Sequence, residues 1–298
     1  MRITQNVKNN QLLVNLNKVN SERQKYYNQI STGKQLVKPS DNPTGTARVL
    51  QLNKMLKQSQ SYQKNIDDAR AFLTATEASL MAVNESIQEA LIIGLKGAND
   101  TLGEEEREIL ANEVDYILDR VLSEANRQYD TKYLFGGTAI DQPPFELSDP
   151  DTVEMTNENA IDGFHLREIL RDDEVQINFS GKDVFVEDNN TFEALINLRN
   201  GLRHNDVDEI QAAYEQLKDV SKQVTNFISK AGIRYDHIEN VENTLVEFDL
   251  ELQGLKSSLE DADIAEAAVN FESLDTIYQA NLQFGARILN MSLLDYLA

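Results

Sequence analysis

Apolar residues in this chain of 298 residues recur at alternating steps of three and four along most of its length. At the N-terminal end, Leu12, Leu16, Val19, Arg23, Tyr26 and Ile30 follow one another at 4-3-4-3-4. That is a heptad seam with one polar interruption, at Arg23, and it predicts a single helix over 5–32 that Gly33 ends. Asn6, Asn9, Asn10, Asn15, Asn17, Asn20 and Asn28 lie in or beside this span. Each costs roughly 0.5 kcal/mol against Ala in a helix, so the segment needs a partner surface to stay helical. Residues 34–45 read as a loop, because Ser40-Asp41-Asn42-Pro43 is turn and cap chemistry.

The next stripe is Val49, Leu52, Leu56, Ser59, Tyr62, Ile66, Ala69, Leu73, Thr76, Leu80, Val83, Ile87 and Ala90. It predicts a helix over 46–98, about 80 Å long at 1.5 Å per residue. A capping box at Thr101-Leu-Gly-Glu104 opens a third helix, with Leu110, Val114, Ile117, Val121 and Ala125 inward and an end near Tyr129. Between 131 and 190 the pattern changes. Short β-prone runs (Tyr133–Phe135, Val175–Phe179, Val184–Val186) alternate with turns at Gly136-Gly137, Asp162-Gly163 and Ser180-Gly181. Helix resumes at Thr191. A long stripe then starts at Val207 and continues through Ile210, Leu217, Val224, Ala231, Ile238 and Leu245 to Phe248, Leu252, Leu255 and Leu259. After Glu260-Asp261-Ala-Asp263 comes a last helix, with Ile264, Ala268, Phe271, Tyr278, Leu282 and Leu289 on one face.

The fold class this predicts is mainly α: long antiparallel helical rods forming a coiled-coil bundle, N- and C-terminal helices paired, and a small β-rich insertion. Its parts are 1–45 and 259–298 (end helices), 46–130 and 191–258 (the two halves of the rod), and 131–190 (the insertion). All five prolines fall at 39, 43, 143, 144 and 150, so nothing interrupts the helical stretches.

Charge sharpens the expected pairing of the ends. Residues 1–65 hold 11 Lys/Arg and 2 Asp/Glu, net +9; the last 40 residues hold one Arg and seven acids, net −6. Opposite fields favour laying the two ends side by side. The overall charge of −22 argues against nucleic-acid binding through bulk positive charge. No apolar run is long enough to span a membrane, and Leu12-Leu13-Val14 is too short for a cleavable secretory signal.

Candidate chemistry is sparse. With no cysteine, thiol catalysis and thiolate metal sites are out. His165, His204 and His237 share no motif, and no phosphate loop, nucleophile elbow or calcium loop occurs. No catalytic, cofactor-binding or metal-binding residue is assigned, no cofactor is expected, and the chain reads as no enzyme.

Two stretches carry a resemblance. Ile30-Ser-Thr-Gly-Lys34 with Lys38-Pro-Ser-Asp-Asn-Pro43, and Glu260-Asp-Ala-Asp-Ile-Ala265, resemble the N- and C-terminal signatures of the bacterial flagellin family. The start Met1-Arg-Ile-Thr4, Tyr133-Leu-Phe-Gly-Gly137 leading into Pro143-Pro144-Phe145, and the ending Leu293-Leu-Asp-Tyr-Leu297 resemble its hook–filament junction branch more than the filament subunit. Lys34-Gln35 departs mildly from the usual pattern. The resemblance implies an extracellular flagellar structural protein, exported without a cleavable signal peptide by the type III route. It would self-assemble into a ring or tubular layer between the preceding hook-associated protein and flagellin, with a possible export chaperone on the C-terminal helix. Joined to the seams, it makes Leu12, Leu16, Val19, Tyr26, Ile30, Ile264, Ala268, Phe271, Tyr278, Leu282 and Leu289 the expected assembly residues. The alternatives are the bulk filament subunit and an intracellular coiled-coil scaffold.

Overall fold

A computed structural model describes residues 5–99, 101–138, 142–149, 151–156 and 163–297, apart from the side chains of 5, 6, 8, 9 and 288–297. Its elements are α1 (Gln5–Thr32), α2 (Pro43–Gly97), α3 (Glu104–Ala125), β1 (Gln128–Tyr129), β2 (Lys132–Tyr133), β3 (Phe145–Asp149), β4 (Thr152–Met155), β5 (Leu166–Leu170), β6 (Asp173–Gln176), α4 (Gly181–Phe185), α5 (Thr191–Arg203), α6 (Val207–Glu260) and α7 (Ile264–Leu297). The chain is mainly helical, and the described residues include three small antiparallel hairpins pairing β1 with β2, β3 with β4 and β5 with β6. It divides into two compact units, one of residues 1–58 with 247–298 and one of residues 59–246.

The second unit holds most of the core. The stripe predicted for α2 is buried from Tyr62 to Ala90, and Ile66, Leu80, Val83 and Ile87 are wholly inaccessible. It faces Ile210, Leu217, Val224, Ala231 and Ile238 of α6 in one hydrophobic cluster. Arg70 ion-pairs with Glu242, and Gln88 Nε2 donates to Ser221 Oγ at 2.8 Å. Residue numbers rise along one helix as they fall along the other, so these parts of α2 and α6 run antiparallel. The fit follows from the spacing: a 4-3 repeat keeps one apolar edge toward one partner over many turns. The seam's regularity does not extend to every position, since Phe248 and Leu255 of α6 are 39% and 44% exposed.

Local chemistry explains where sequence expectation and structure part. The α3 helix starts after Gly103, and the Glu106 carboxylate accepts the Gly103 N–H at 2.9 Å. Thr101 is no cap; its hydroxyl donates to Asn99 Oδ1 at 3.0 Å. The capping box expected at 101–104 is thus displaced, because Glu106 occupies the third helical position where a carboxylate can reach back. The helix also stops at Ala125 rather than near Tyr129. Asn126 leaves it and takes over the backbone of Phe145, donating to its carbonyl at 2.8 Å and accepting its N–H at 3.0 Å.

In the insertion, Val184-Phe185 is helical, not extended. Ser180 caps this turn, its hydroxyl accepting the Asp183 N–H at 3.4 Å. Phe185 there joins Phe135, Phe145 and Phe192 in a ring cluster with centroids 5.0–5.8 Å apart. Three residues cannot establish a period of two against such an anchor. Of Tyr133–Phe135 only Tyr133 is in a strand, and of Val175–Phe179 only Val175 and Gln176 are.

Candidate assembly surface

The first unit is built on α1 lying antiparallel to α7. Leu12, Leu16, Val19, Arg23, Tyr26 and Ile30 are each half-buried, so the 4-3 seam is the face that α1 turns inward. Arg23 fills its polar gap productively. Its guanidinium pairs with Asp275 at 2.6 Å and lies 4.4 Å over the Tyr278 ring. A charged group on the seam is therefore paired and stacked rather than stranded. Tyr27 and Phe271 rings meet at 6.1 Å. Leu12 sits against Gly285, where an added Cβ would come within 2.9 Å of Leu12 Cδ2.

The two sequence signatures meet at one end of this pair. Gly33 adopts φ +70°, a conformation that suits glycine, and its N–H closes α1 on the Gln29 carbonyl at 2.8 Å. The chain beyond it zips to the α6–α7 turn. Gln35 N donates to Glu260 O at 2.8 Å and Ala262 N to Gly33 O at 2.9 Å. Gln35 Nε2 donates to Leu259 O at 3.0 Å, and Lys34 ion-pairs with Glu260. Asp263 then caps α7, accepting from Ala265 N at 2.9 Å and Glu266 N at 3.1 Å. So Lys34-Gln35, the departure from the common family pattern, supplies two of the side-chain ties.

On α7 the inward face is Ala267, Asn270, Phe271, Leu274, Asp275, Tyr278, Asn281 and Gly285. The predicted set straddles its edge. Phe271 and Tyr278 are half-buried, whereas Ala268 is exposed and Ile264 and Leu282 are each 47% exposed. Counting 100° per residue, the buried face is turned roughly 50° from the predicted stripe. Close approach accounts for part of this: Gly285 leaves room for Leu12 of α1, and small Ala267 is buried on the same face. Leu289 lies outside the residues whose side chains are described.

A second apolar stripe, missed in the sequence, faces outward. It comprises Val7 and Val14 on α1, and Val269, Ile277 and Phe284 on α7, each 45–68% exposed. Its signal was present, because Val7 and Val14, and Ile277 and Phe284, are each seven apart. Both α1 and α7 are thus apolar on the face they share and on faces they do not.

Among the described residues no group of three or more His, Asp or Glu could hold a metal ion. The histidines are dispersed: His165 Nε2 lies 2.6 Å from Gly137 O, His204 Nδ1 3.1 Å from Glu209, and His237 Nε2 3.3 Å from Asp173. Burial lowers the Arg234 pKa, and its guanidinium lies 4.1 Å over Phe179. No described helix is long and apolar enough to cross a membrane.

Both ends of the chain and much of its fold are similar to known proteins. Residues 3–139 fit the bacterial flagellin N-terminal helical region and residues 209–297 its C-terminal helical region, together about three quarters of the chain. The chain belongs to the flagellin family. Among individual relatives, flagellar hook-associated protein 3 of Escherichia coli is 30% identical over 126 residues, 42% of this chain and 40% of that protein. The Salmonella typhimurium protein of the same name is 27% identical over 147 residues, 49% of this chain and 46% of its own. The chain therefore matches less than half the length of either. Among solved structures, a flagellar hook-associated protein from Vibrio parahaemolyticus superposes with TM-score 0.69 at 20% identity, covering 74% of this chain and all of that one. Hook-associated protein 3 of Legionella pneumophila gives 0.64 at 13%, covering 71% and 98%. These likenesses place the fold.

Proposed function

We propose that the chain is a structural subunit of the junction between flagellar hook and filament. It would be located outside the cell on the flagellum and build a ring or tubular layer of identical copies. The carrying observation is the doubly apolar α1–α7 pair. Two helices bury one seam between them and leave Val7, Val14, Val269, Ile277 and Phe284 facing water. Burying such surface is worth about 25 cal/mol per Å2, and repetition around a layer multiplies it. Leu12, Leu16, Val19, Tyr26, Ile30, Phe271 and Tyr278 hold the pair together. Ile264, Ala268 and Leu282 extend toward neighbours, and Leu289 continues their register.

Ordering each end residue costs about 1–2 kcal/mol, which a two-helix unit offsets poorly. The ends therefore gain much of their rigidity on assembly. Matches to proteins named hook-associated protein 3 favour the junction over the bulk filament. They also suggest the partners: the preceding hook-associated protein on one side, flagellin on the other, and an export chaperone on α7 before assembly. The chemistry asked of the chain is packing, not catalysis.

Deleting the gene tests this. A cell lacking the junction subunit still makes flagellin but has nowhere to add it, so flagellin appears as monomer in the medium and filaments are absent. If flagellin itself disappears, the chain is the filament subunit. If filaments remain normal, the junction reading fails.

A further inference from the structure

The second unit holds a cleft of about 320 Å3 bounded by α6, the end of β6 and the chain around α4. Phe164 lines it and is 64% exposed. Its backbone is fixed on both sides. Asn178, 1% exposed, donates from Nδ2 to Gly163 O at 2.7 Å and accepts the His165 N–H at 2.8 Å. The Ile177 N–H donates to His165 O at 2.9 Å. A buried amide thus holds a large apolar ring in place where the core gains little from it. Such a platform has met much of its ordering cost before any ligand arrives.

The α6 side of the cleft is cationic. Lys230 and Arg234 are one helical turn apart, Lys230 Nζ 4.4 Å from the Phe227 ring centroid and the Arg234 guanidinium 4.1 Å from that of Phe179. Arg234 donates to Asn178 O at 3.0 Å and Gln176 Oε1 at 3.4 Å, both neutral acceptors. Among the described residues neither cation forms an ion pair. Burial lowers the Arg234 pKa, so its charged form gains from an added anion. The chain at 183–188 brings acids instead: Glu187 and Asp188 are exposed and Asp183 is half-buried. Three acids against two cations give the lining no excess of positive charge, so bulk attraction does not select its ligand.

The chemistry selects it. Lysine and arginine only donate, ionised carboxylates only accept, and an aromatic face attracts the slightly positive edge of C–H bonds. An acidic peptide answers the cations alone, and a neutral sugar answers only the carboxylates and the ring. We propose that this cleft binds an acidic sugar, a pyranose with its carboxylate on Lys230 and Arg234, hydroxyls donating to Glu187 and Asp188, and a C–H face on Phe164. The volume lies at the small end of ligand pockets, about 300–1,000 Å3, as a sugar ring requires. This site goes beyond the junction reading and does not depend on it.

The test titrates isotope-labelled full-length protein with methyl glucuronide, methyl glucoside and triglutamate, followed by NMR. Expected are saturable shifts with the glucuronide, confined to residues 163–188 and 227–234, and about tenfold weaker binding of the other two probes. Phe164→Ala removes the aromatic face and Lys230→Gln a charge-assisted hydrogen bond; both positions are exposed, and each change should weaken binding about tenfold. Joint Glu187→Ala and Asp188→Ala substitution decides what the acids do. Affinity should fall, because hydroxyl acceptors are lost. A rise in affinity, or triglutamate binding as tightly as the glucuronide, overturns the proposal, since the cleft then reads negative charge alone. Unchanged binding by Phe164→Ala overturns it as well, as does the lack of saturable shifts with methyl glucuronide, methyl galacturonide and methyl sialoside alike. Tighter binding of a hyaluronan tetrasaccharide supports a sugar within a chain, and preference for the sialoside supports one at a chain end.

Discussion

Single residues decide the joints of this molecule more than its helices. Gly33 is the plainest case. Its φ of +70° lies where a side chain is strained, yet nothing lies within 4 Å of the position a Cβ would take. Gly33→Ala should therefore cost only the conformational term, about 1 kcal/mol. Because the Gly33 carbonyl also accepts from Ala262, the loss should appear at the end of α1. Hydrogen exchange there should accelerate while the α2–α6 seam is unchanged. Asn126 is a second joint. Its side chain satisfies both backbone groups of Phe145, so Asn126→Ala strands a donor and an acceptor. The expected loss is about 1–3 kcal/mol by urea unfolding, with fluorescence or exchange changes confined to the insertion.

These joints mark the edge of what the sequence makes visible. Gly33 stood out because a glycine closing a heptad seam has one common use. Asn126 did not, because an asparagine that imitates a strand partner looks the same in a sequence as one at a helix end. Arg107 was equally hidden. It is 4% exposed and ties the end of α2 to later turns, donating to Gly97 O at 3.0 Å and Asn99 O at 3.1 Å and also to Asn205. On periodicity alone it was one more charge at the acidic start of α3.

At the level of elements, legibility follows length. The stripes of α1, α2 and α6 spanned enough turns for the period to identify the buried face, and burial follows them almost position by position. The hairpins are two to five residues a side, too short for alternation to outvote a cap or an aromatic anchor. The α7 helix falls between: its periodicity was clear, but small residues helped shift its buried face away from its largest apolar ones. Energetics should differ in the same way. Ile87 is inaccessible among α2, α3 and α6 side chains, so Ile87→Ala should cost about 2–5 kcal/mol, read as a lower urea midpoint. Leu16→Ala, on the half-buried α1 seam, should cost the monomer under about 1 kcal/mol. It should nevertheless impair layer formation, because each copy in a polymer carries the defect.

For the whole molecule the two units should differ in stability as well as in burial. Residues 59–246 enclose a continuous apolar core across four longer helices and the insertion. Residues 1–58 with 247–298 rest on two-helix contacts, one signature-loop zipper and a few partly exposed ion pairs. Exposed pairs such as Arg23–Asp275 contribute about 1 kcal/mol or less and weaken with salt. Limited proteolysis of the dilute protein should therefore trim the first ~35 and last ~35 residues well before cutting α2 or α6 within the second unit. Raising salt should hasten trimming by loosening the +9/−6 pairing, and assembled layers should protect the same sites. That order of events belongs to a chain whose ends are completed by their neighbours. If both ends resisted protease in the monomer as long as the second unit does, the terminal helices would already be self-sufficient. Their outward apolar stripe would then need another explanation than assembly.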